Sequence, residues 1–193
     1  MIEVGEERHV RLAEEISEVM EESARVRGTG ISKRPPALIA QYIREGKALV
    51  AIGTDGTWAG FCYLNVFDNG RFVSSSGLIV SPQWRERGVA QELKIKLFEL
   101  SRQQYPHASL IGITTSPAVM KINTKLGFYP TAFSDMPQEE AFWKGCSSCV
   151  NHDILARTNR KFCLCTAMRY DPKIPNSKLK VNTLNARSLI FEL

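Results

Sequence analysis

Two stretches of this chain set residue types at spacings that could do chemistry. The first, residues 81–93, reads SPQWRERGVAQEL. Arg85 and Arg87 offer guanidinium forks suited to phosphate or carboxylate, and Gly88, without a Cβ, lets a ligand come close to the main chain. If a helix begins beside Gly88, its first N–H groups have no internal partner and form a ready anion site. The same letters also describe a solvated basic loop, so the neighbouring elements must decide.

The second stretch holds Cys146, Cys149, Cys163 and Cys165 in the spacing C-x2-C-x13-C-x-C. If KFCLCTAM is a strand, Cys163 and Cys165 share one face, and Cys146 and Cys149 could join them in a four-thiolate zinc site, with His152 as a substitute ligand. The C-x-C half is less usual than a second C-x-x-C, and free cysteines are also ordinary core residues. Cys62, in GFCYL, reads as core.

The elements that must position these residues are legible in outline. Residues 6–25 carry Val10, Ala13, Ile16, Val19 and Met20 at helical spacing. RPPALIAQYIREGK follows, with prolines at its start and Gly46 near its end, as a second helix. ALVAIG, WAGFCYLNVF and RFVSSSGLIV are rich in β-branched and aromatic residues and are separated by TDG and DNG, which predicts a three-stranded antiparallel meander. After Pro82 a helix places Ala90, Leu93, Leu97 and Leu100 on one stripe, with Lys94 and Lys96 off it. ASLIGITT is a buried-type strand, SPAVMKINTKLGF a short helix ended by Gly127, and RKFCLCTAMRYDP a last strand. Strand-helix-strand order implies at least one parallel pair. The tail, residues 173–193, has no clear period and reads as an edge strand, a docked segment or an oligomer contact, a homodimer among the arrangements.

The 193 residues suit one α/β domain of about 172 residues with this short extension, and 44% hydrophobic content argues against a disordered or fibrous class. A net charge of +5 would suit an anionic partner, but the basic residues are interleaved with acidic ones, so a local anion site explains them better than nucleic acid. No window approaches the roughly 20 apolar residues of a membrane span, and no signal peptide is visible. The expected setting is the cytoplasm, with reduced cysteines unless a metal holds them.

The string LIVSPQWRERGVAQEL resembles motif A of the GNAT family of N-acetyltransferases, carried here by Val80, Pro82, Trp84, Arg85, Gly88 and Ala90. VMKINTKLGF resembles the family's motif B, with its ending at Lys125, Leu126, Gly127 and Phe128. The resemblance spans roughly residues 6–170. It implies the GNAT fold, a mixed, mostly antiparallel twisted sheet with helices on both faces in the order α-α-β-β-β-α-β-α-β. It implies an acetyl-CoA or other acyl-CoA donor such as succinyl-CoA, with pantetheine against Ile79 and Val80 and pyrophosphate at Arg85, Glu86, Arg87, Gly88, Val89 and Ala90. An acceptor amine would attack the thioester directly, which calls for a base and for an acid to protonate the departing thiolate.

Many relatives carry a tyrosine where Asn123 stands; an amide can hydrogen-bond to CoA but cannot protonate a thiolate. Tyr129 is a nearby phenol, and Glu22, Asp68 and His107 are candidate bases, none preferred over a structural role. The family's acceptor site borders the loop between the first two helices. Here that loop carries Arg25, Arg27, Lys33 and Arg34, which suits an acidic small-molecule amine. EESARVRGTGISKR, SSSGLIV, ITTSPAVMKINTKLGF and FWKGCSSCVNHDILARTNRKFCLC further resemble a Bacteroidetes subgroup associated with arginine biosynthesis, candidate N-acetylglutamate or N-succinylglutamate synthases. Two alternatives stay open at this point: acylation of a protein or peptide amine, and a non-catalytic acyl-CoA-binding regulatory module.

Overall fold

The structure is a computed structural model that describes residues 1–28 and 32–174. Part of the loop between the first two helices (29–31) and most of the expected C-terminal extension (from 175) lie outside the described residues.

The apolar side chains Ala13, Ile16 and Met20 recur three and four residues apart, and that stripe is buried in α1 (Ala13–Arg27). The helix ends at Gly28, whose φ of 59° makes the left-handed C-terminal turn. Where the sequence predicts continuous helix from residue 6, a 3-10 turn (Glu7–Leu12) comes first, because His9 turns inward and its Nδ1 accepts the Glu6 N–H at 3.1 Å. Pro36 opens α2 (Pro36–Arg44), which buries Ile39, Ala40, Tyr42 and Ile43.

The predicted meander is present as β2 (Ala48–Ile52), β3 (Trp58–Phe67) and β4 (Phe72–Val80). An N-terminal strand that the sequence pattern does not reveal, β1 (Ile2–Val4), adds to its edge. α3 (Val89–Gln104) then leads to β5 (Ser109–Thr114), which pairs with β4 in the sheet's one parallel contact among the described residues. α4 (Pro117–Lys125) precedes the two-residue β6 (Tyr129–Pro130), and β7 (Thr166–Tyr170) inserts between β5 and β6. The sheet order is β1-β2-β3-β4-β5-β7-β6.

Two cores hold the layers together. On one face α1 and α2 pack Ile16, Ile39 and Ile43 against Val50, Phe61 and Tyr63. On the other, α3 packs Leu93 and Leu97 against Cys62, Leu64 and Val73; each fully buried leucine contributes about 1.5–3 kcal/mol. Two short helices, α5 (Glu140–Lys144) and α6 (His152–Arg157), place Trp143 and Leu155 with Phe133 and Ile111 in a third cluster.

Two sequence expectations need correction. The last strand begins at Thr166, so Cys163 and Cys165 precede it and are not strand neighbours on one face. The chain reaches them through a turn in which Asn159 and Arg160 take left-handed φ of 48° and 61°. Lys94, expected off the buried stripe of α3, is only 3% exposed.

Candidate active site

β4 pairs with β5 only at Phe72, Val73 and Ser74, whereas it stays paired with β3 as far as Val80. Beyond Ser74 the two parallel strands diverge, and β5 continues against β7 through Thr114. The β5-facing edge of residues 75–80 is therefore left without a strand partner. Backbone donors and acceptors in such an opening call for a partner, and an extended ligand satisfies them as an added strand would. Ile79 and Val80 lie on this edge.

A β-bulge shapes the middle of the opening. Phe61 pairs with Ile79 but Tyr63 with Ser76, so Gly77 and Leu78 both stand opposite Cys62. Gly77 has φ of 64°, and a Cβ there would lie 2.3 Å from Cε1 of Tyr63. Glycine is thus required twice, by conformation and by the tyrosine ring.

At the open end, a 3-10 turn (Pro82–Trp84) carries β4 into α3. Trp84 anchors it: its Nε1 donates to Thr57 Oγ1 (3.1 Å), and its ring covers Gly53 so closely that a Cβ there would be 2.0 Å away. Glu86 and Gly88 both have positive φ, 63° and 84°, and Gly88 caps the helix. Gln91 and Glu92 donate to the Gly88 carbonyl (2.9 and 3.1 Å), so the N–H groups of Val89 and Ala90 lie ahead of the first helical bonds. The Arg87 guanidinium lies 5.0 Å from the Trp84 ring centroid, beside these amides in sequence. The turn has the backbone geometry as well as the charge that an anion site requires.

Arg85 differs from its neighbours. Its Nη2 donates to Ser23 Oγ in α1 (3.1 Å), its Nε to the Val80 carbonyl (3.5 Å), and its N–H to Pro82 O (3.4 Å). Its charge is thus directed toward α1. Arg34 also reaches this side: its Nε donates to the Tyr63 hydroxyl (2.6 Å), and Tyr63 stacks on Tyr42 at 4.0 Å while its ring borders Gly77. Neither Arg34 nor Arg85 meets a carboxylate among the described residues. Arg25, in contrast, is ion-paired with Glu22 (2.7 Å), and Lys33 with Glu21 (2.7 Å). Arg27 is exposed in the last turn of α1.

At the closed end of the opening, Asn123 of α4 is 1% exposed. Its Nδ2 donates to Met168 Sδ (3.6 Å), and its Oδ1 has no hydrogen-bond partner. A Cβ on Gly112 of β5 would stand 3.8 Å from both the Asn123 amide nitrogen and the Ser75 carbonyl. Lys94 of α3 reaches the same place, where its ammonium donates to Ser75 Oγ at 2.7 Å. Burial lowers its pKa to about 8.

The other catalytic candidates fare unequally. Asp68 and His107 lie near the Phe72–Ser109 pair, at the end of β4 opposite the opening. Tyr129 sits on edge strand β6, with β7 between it and β5. Glu22 is on α1 beside Ser23, but the hydrogen bond from Arg25 holds its carboxyl below the usual range.

The four cysteines of the second stretch come together around one small cavity of about 20 Å³, with His152 also on its wall. Burial, and then the neighbouring cysteines, push Cys146 up to about 11 and Cys165 up to about 12. Among the described residues, however, no three histidine, cysteine, aspartate or glutamate side chains are set around a common metal position. Among the described residues the four thiols thus converge without forming a metal-ligand set, and Cys163 and Cys165 enter from a turn. The loop between Cys146 and Cys149 also touches the segment that leads into α2: Ser148 Oγ accepts the Lys33 N–H (3.0 Å) and lies 2.9 Å from Ser32 Oγ.

Sequence reasoning missed Lys94, Ser75 and Tyr63. Lys94 is four residues after Ala90 and three before Leu97, at the rim of the buried stripe, and that spacing is the signal that could have found it.

Residues 14–128, more than half of the chain, match the acetyltransferase (GNAT) family. The chain belongs to this family and is an acyl-CoA-dependent N-acyltransferase. No curated protein sequence matches it. Solved structures share the fold at low identity. N-acetylglutamate synthase from Neisseria gonorrhoeae, complexed with coenzyme A and N-acetyl-glutamate, is similar with a TM-score of 0.64 at 16% identity over 90% of this chain. The chain spans only 35% of that synthase. Rv2747 from Mycobacterium tuberculosis, in complex with CoA, has a TM-score of 0.64 at 13% identity over 89% of this chain and 98% of its own. A phosphinothricin acetyltransferase from Sinorhizobium meliloti, in complex with acetyl-CoA, has a TM-score of 0.59 at 14% identity over 89% of this chain and 87% of its own. No described helix is long and apolar enough to cross a membrane.

Proposed function

We propose that the enzyme transfers an acetyl or succinyl group from CoA to a small acidic amine, with the α-amine of glutamate as the acceptor of first choice. Pantetheine would lie along Ile79 and Val80, the pyrophosphate on the amides of Gly88, Val89 and Ala90 with Glu86 and Arg87 shaping the turn. The Asn123 amide would meet the thiol end of the donor. The amine enters from the α1 face, opposite α3, and attacks the thioester carbon at the bulge; holding both reactants in line supplies much of the acceleration.

One observation carries the choice of acceptor. Arg34 and Arg85 extend two guanidinium groups to that face without a carboxylate partner among the described residues. A dicarboxylic amino acid offers the two carboxylates that such forks bind. Arg25 and Arg27 form an outer pair at the end of α1, where they would draw an anionic acceptor inward. The gonococcal synthase, which shares the fold, is complexed with N-acetyl-glutamate, and this supports the reading.

The test is thiol release from acetyl-CoA and succinyl-CoA with a panel of amino acids and an acidic peptide. Glutamate should turn over, and Arg34→Ala should raise its KM about 10- to 100-fold, the loss of one charge-assisted contact, while glutamine and alanine respond far less. Equal use of all amines, or turnover of the peptide alone, would replace this acceptor assignment.

A further inference from the structure

Beside Asn123 at the closed end of the opening lies a buried lysine that the family's usual chemistry does not require. Lys94 is 3% exposed, and Ser75 Oγ at 2.7 Å is its one hydrogen-bond acceptor among the described residues. An ammonium has three donors, so two are unspent in a place where water does not reach them freely. The groups recorded against it are neutral: β3 presents Cys62, whose thiol burial pushes up to about 12, β4 presents Ser75, and Phe128 after α4 presents a ring face at 5.7 Å. No carboxylate pairs with Lys94 among the described residues. Burying a charge so sparsely partnered is costly unless a ligand completes its shell.

Position identifies the ligand. Ser75 is the first residue of β4 beyond the last β4–β5 pair, and its carbonyl faces Gly112 across the gap. Asn123 borders the same point from α4, with its Oδ1 unpartnered. A donor running from the α3 turn along Val80 and Ile79 brings its thioester toward this closed end. Asn123, where a phenol would protonate the leaving group, has no acidic proton to give.

We infer that Lys94 is the general acid of the reaction, donating a proton from Nζ to the departing CoA sulfur. The C–N bond forms as the acceptor's lone pair enters the thioester carbon, and the C–S bond breaks with its electron pair going to sulfur. The ammonium proton moves to that sulfur to give free CoA thiol. Neutral Lys94 regains a proton that the acylated nitrogen gives up, directly or through solvent. A donor lowered to about 8 is close to a thiol's ordinary value near 8.5, the match that efficient proton transfer favours.

This rests on the donor's placement along β4 but not on the acceptor's identity, so hydroxylamine, which needs no binding pocket, can serve beside glutamate. The experiment measures kcat against pH for the wild type, Lys94→Met and Lys94→Arg, together with the acetyl-CoA Kd of each by calorimetry. The wild-type kcat should fall as pH rises through about 8. Lys94→Met should lose about 100- to 10,000-fold in kcat, lose that alkaline limb, and keep a Kd within a few-fold. Lys94→Arg, always protonated, should keep the charge but recover little rate. Wild-type kcat in Lys94→Met, an unchanged alkaline limb, or a loss confined to acetyl-CoA binding would each overturn the assignment. Failure of glutamate alone, with hydroxylamine showing the Lys94 effect, would count against the acceptor and leave this inference standing.

Discussion

Replacing Lys94 with methionine should make the fold more stable at neutral pH, and the gain should shrink as the solution becomes alkaline. Burial lowers the lysine from its ordinary 10.5 to about 8. In the unfolded chain it titrates near 10.5, so between those values the unfolded state binds more protons and wild-type stability rises with pH. Below pH 8 both states are protonated and the full penalty for burying the ammonium is present, about 3 kcal/mol at 1.36 kcal/mol per pH unit. By pH 10 it falls below about 1 kcal/mol. Methionine fills a similar volume without charge, so urea unfolding at pH 7 and pH 10 should show its advantage dropping by about 2–3 kcal/mol across the interval. A wild-type-to-variant difference that is the same at both pH values would show that Lys94 is not desolvated as described. Loss of kcat together with gain of stability is the signature of a group retained for chemistry.

Gly77→Ala should abolish turnover and destabilise the protein by about 1–3 kcal/mol, because a side chain at φ 64° also meets Tyr63 at 2.3 Å; thermal unfolding with acetyl-CoA titration reads both effects. Cys146 and Cys165, pushed up to about 11 and about 12, should be alkylated by iodoacetamide far more slowly at pH 8 than an unperturbed thiol. Mass spectrometry of the labelled peptides checks this, and rapid labelling that appears only after a chelator is added would show instead thiolates held by a metal.

The turn into α3 is legible in the sequence because its determinants are local: a proline after a strand, a glycine at the helix start and two arginines within seven residues. The opening itself depends on register. Nothing in SSSGLIV announces that pairing with β5 stops at Ser74, or that Gly77 is a bulge, because both follow from how two distant strands align. Lys94 was misread for a related reason. It lies at the edge of the α3 stripe, and the groups that cover it, Ser75 and Phe128, come from other parts of the chain. The cysteines converge around one cavity, but a turn before Thr166 stands where the sequence pattern predicts strand. Composition gives the loop's arginines equal standing as carboxylate ligands, because it cannot show that Glu22 neutralises Arg25 while a tyrosine holds Arg34.

A crystal structure with bound CoA tests the central claim most directly. The pantetheine should lie in the gap between residues 75–80 of β4 and β5, with the pyrophosphate on the amides of Gly88, Val89 and Ala90 and the sulfur within hydrogen-bond reach of Lys94 Nζ. CoA bound elsewhere, or a sulfur remote from Ser75 and Lys94, would contradict the account.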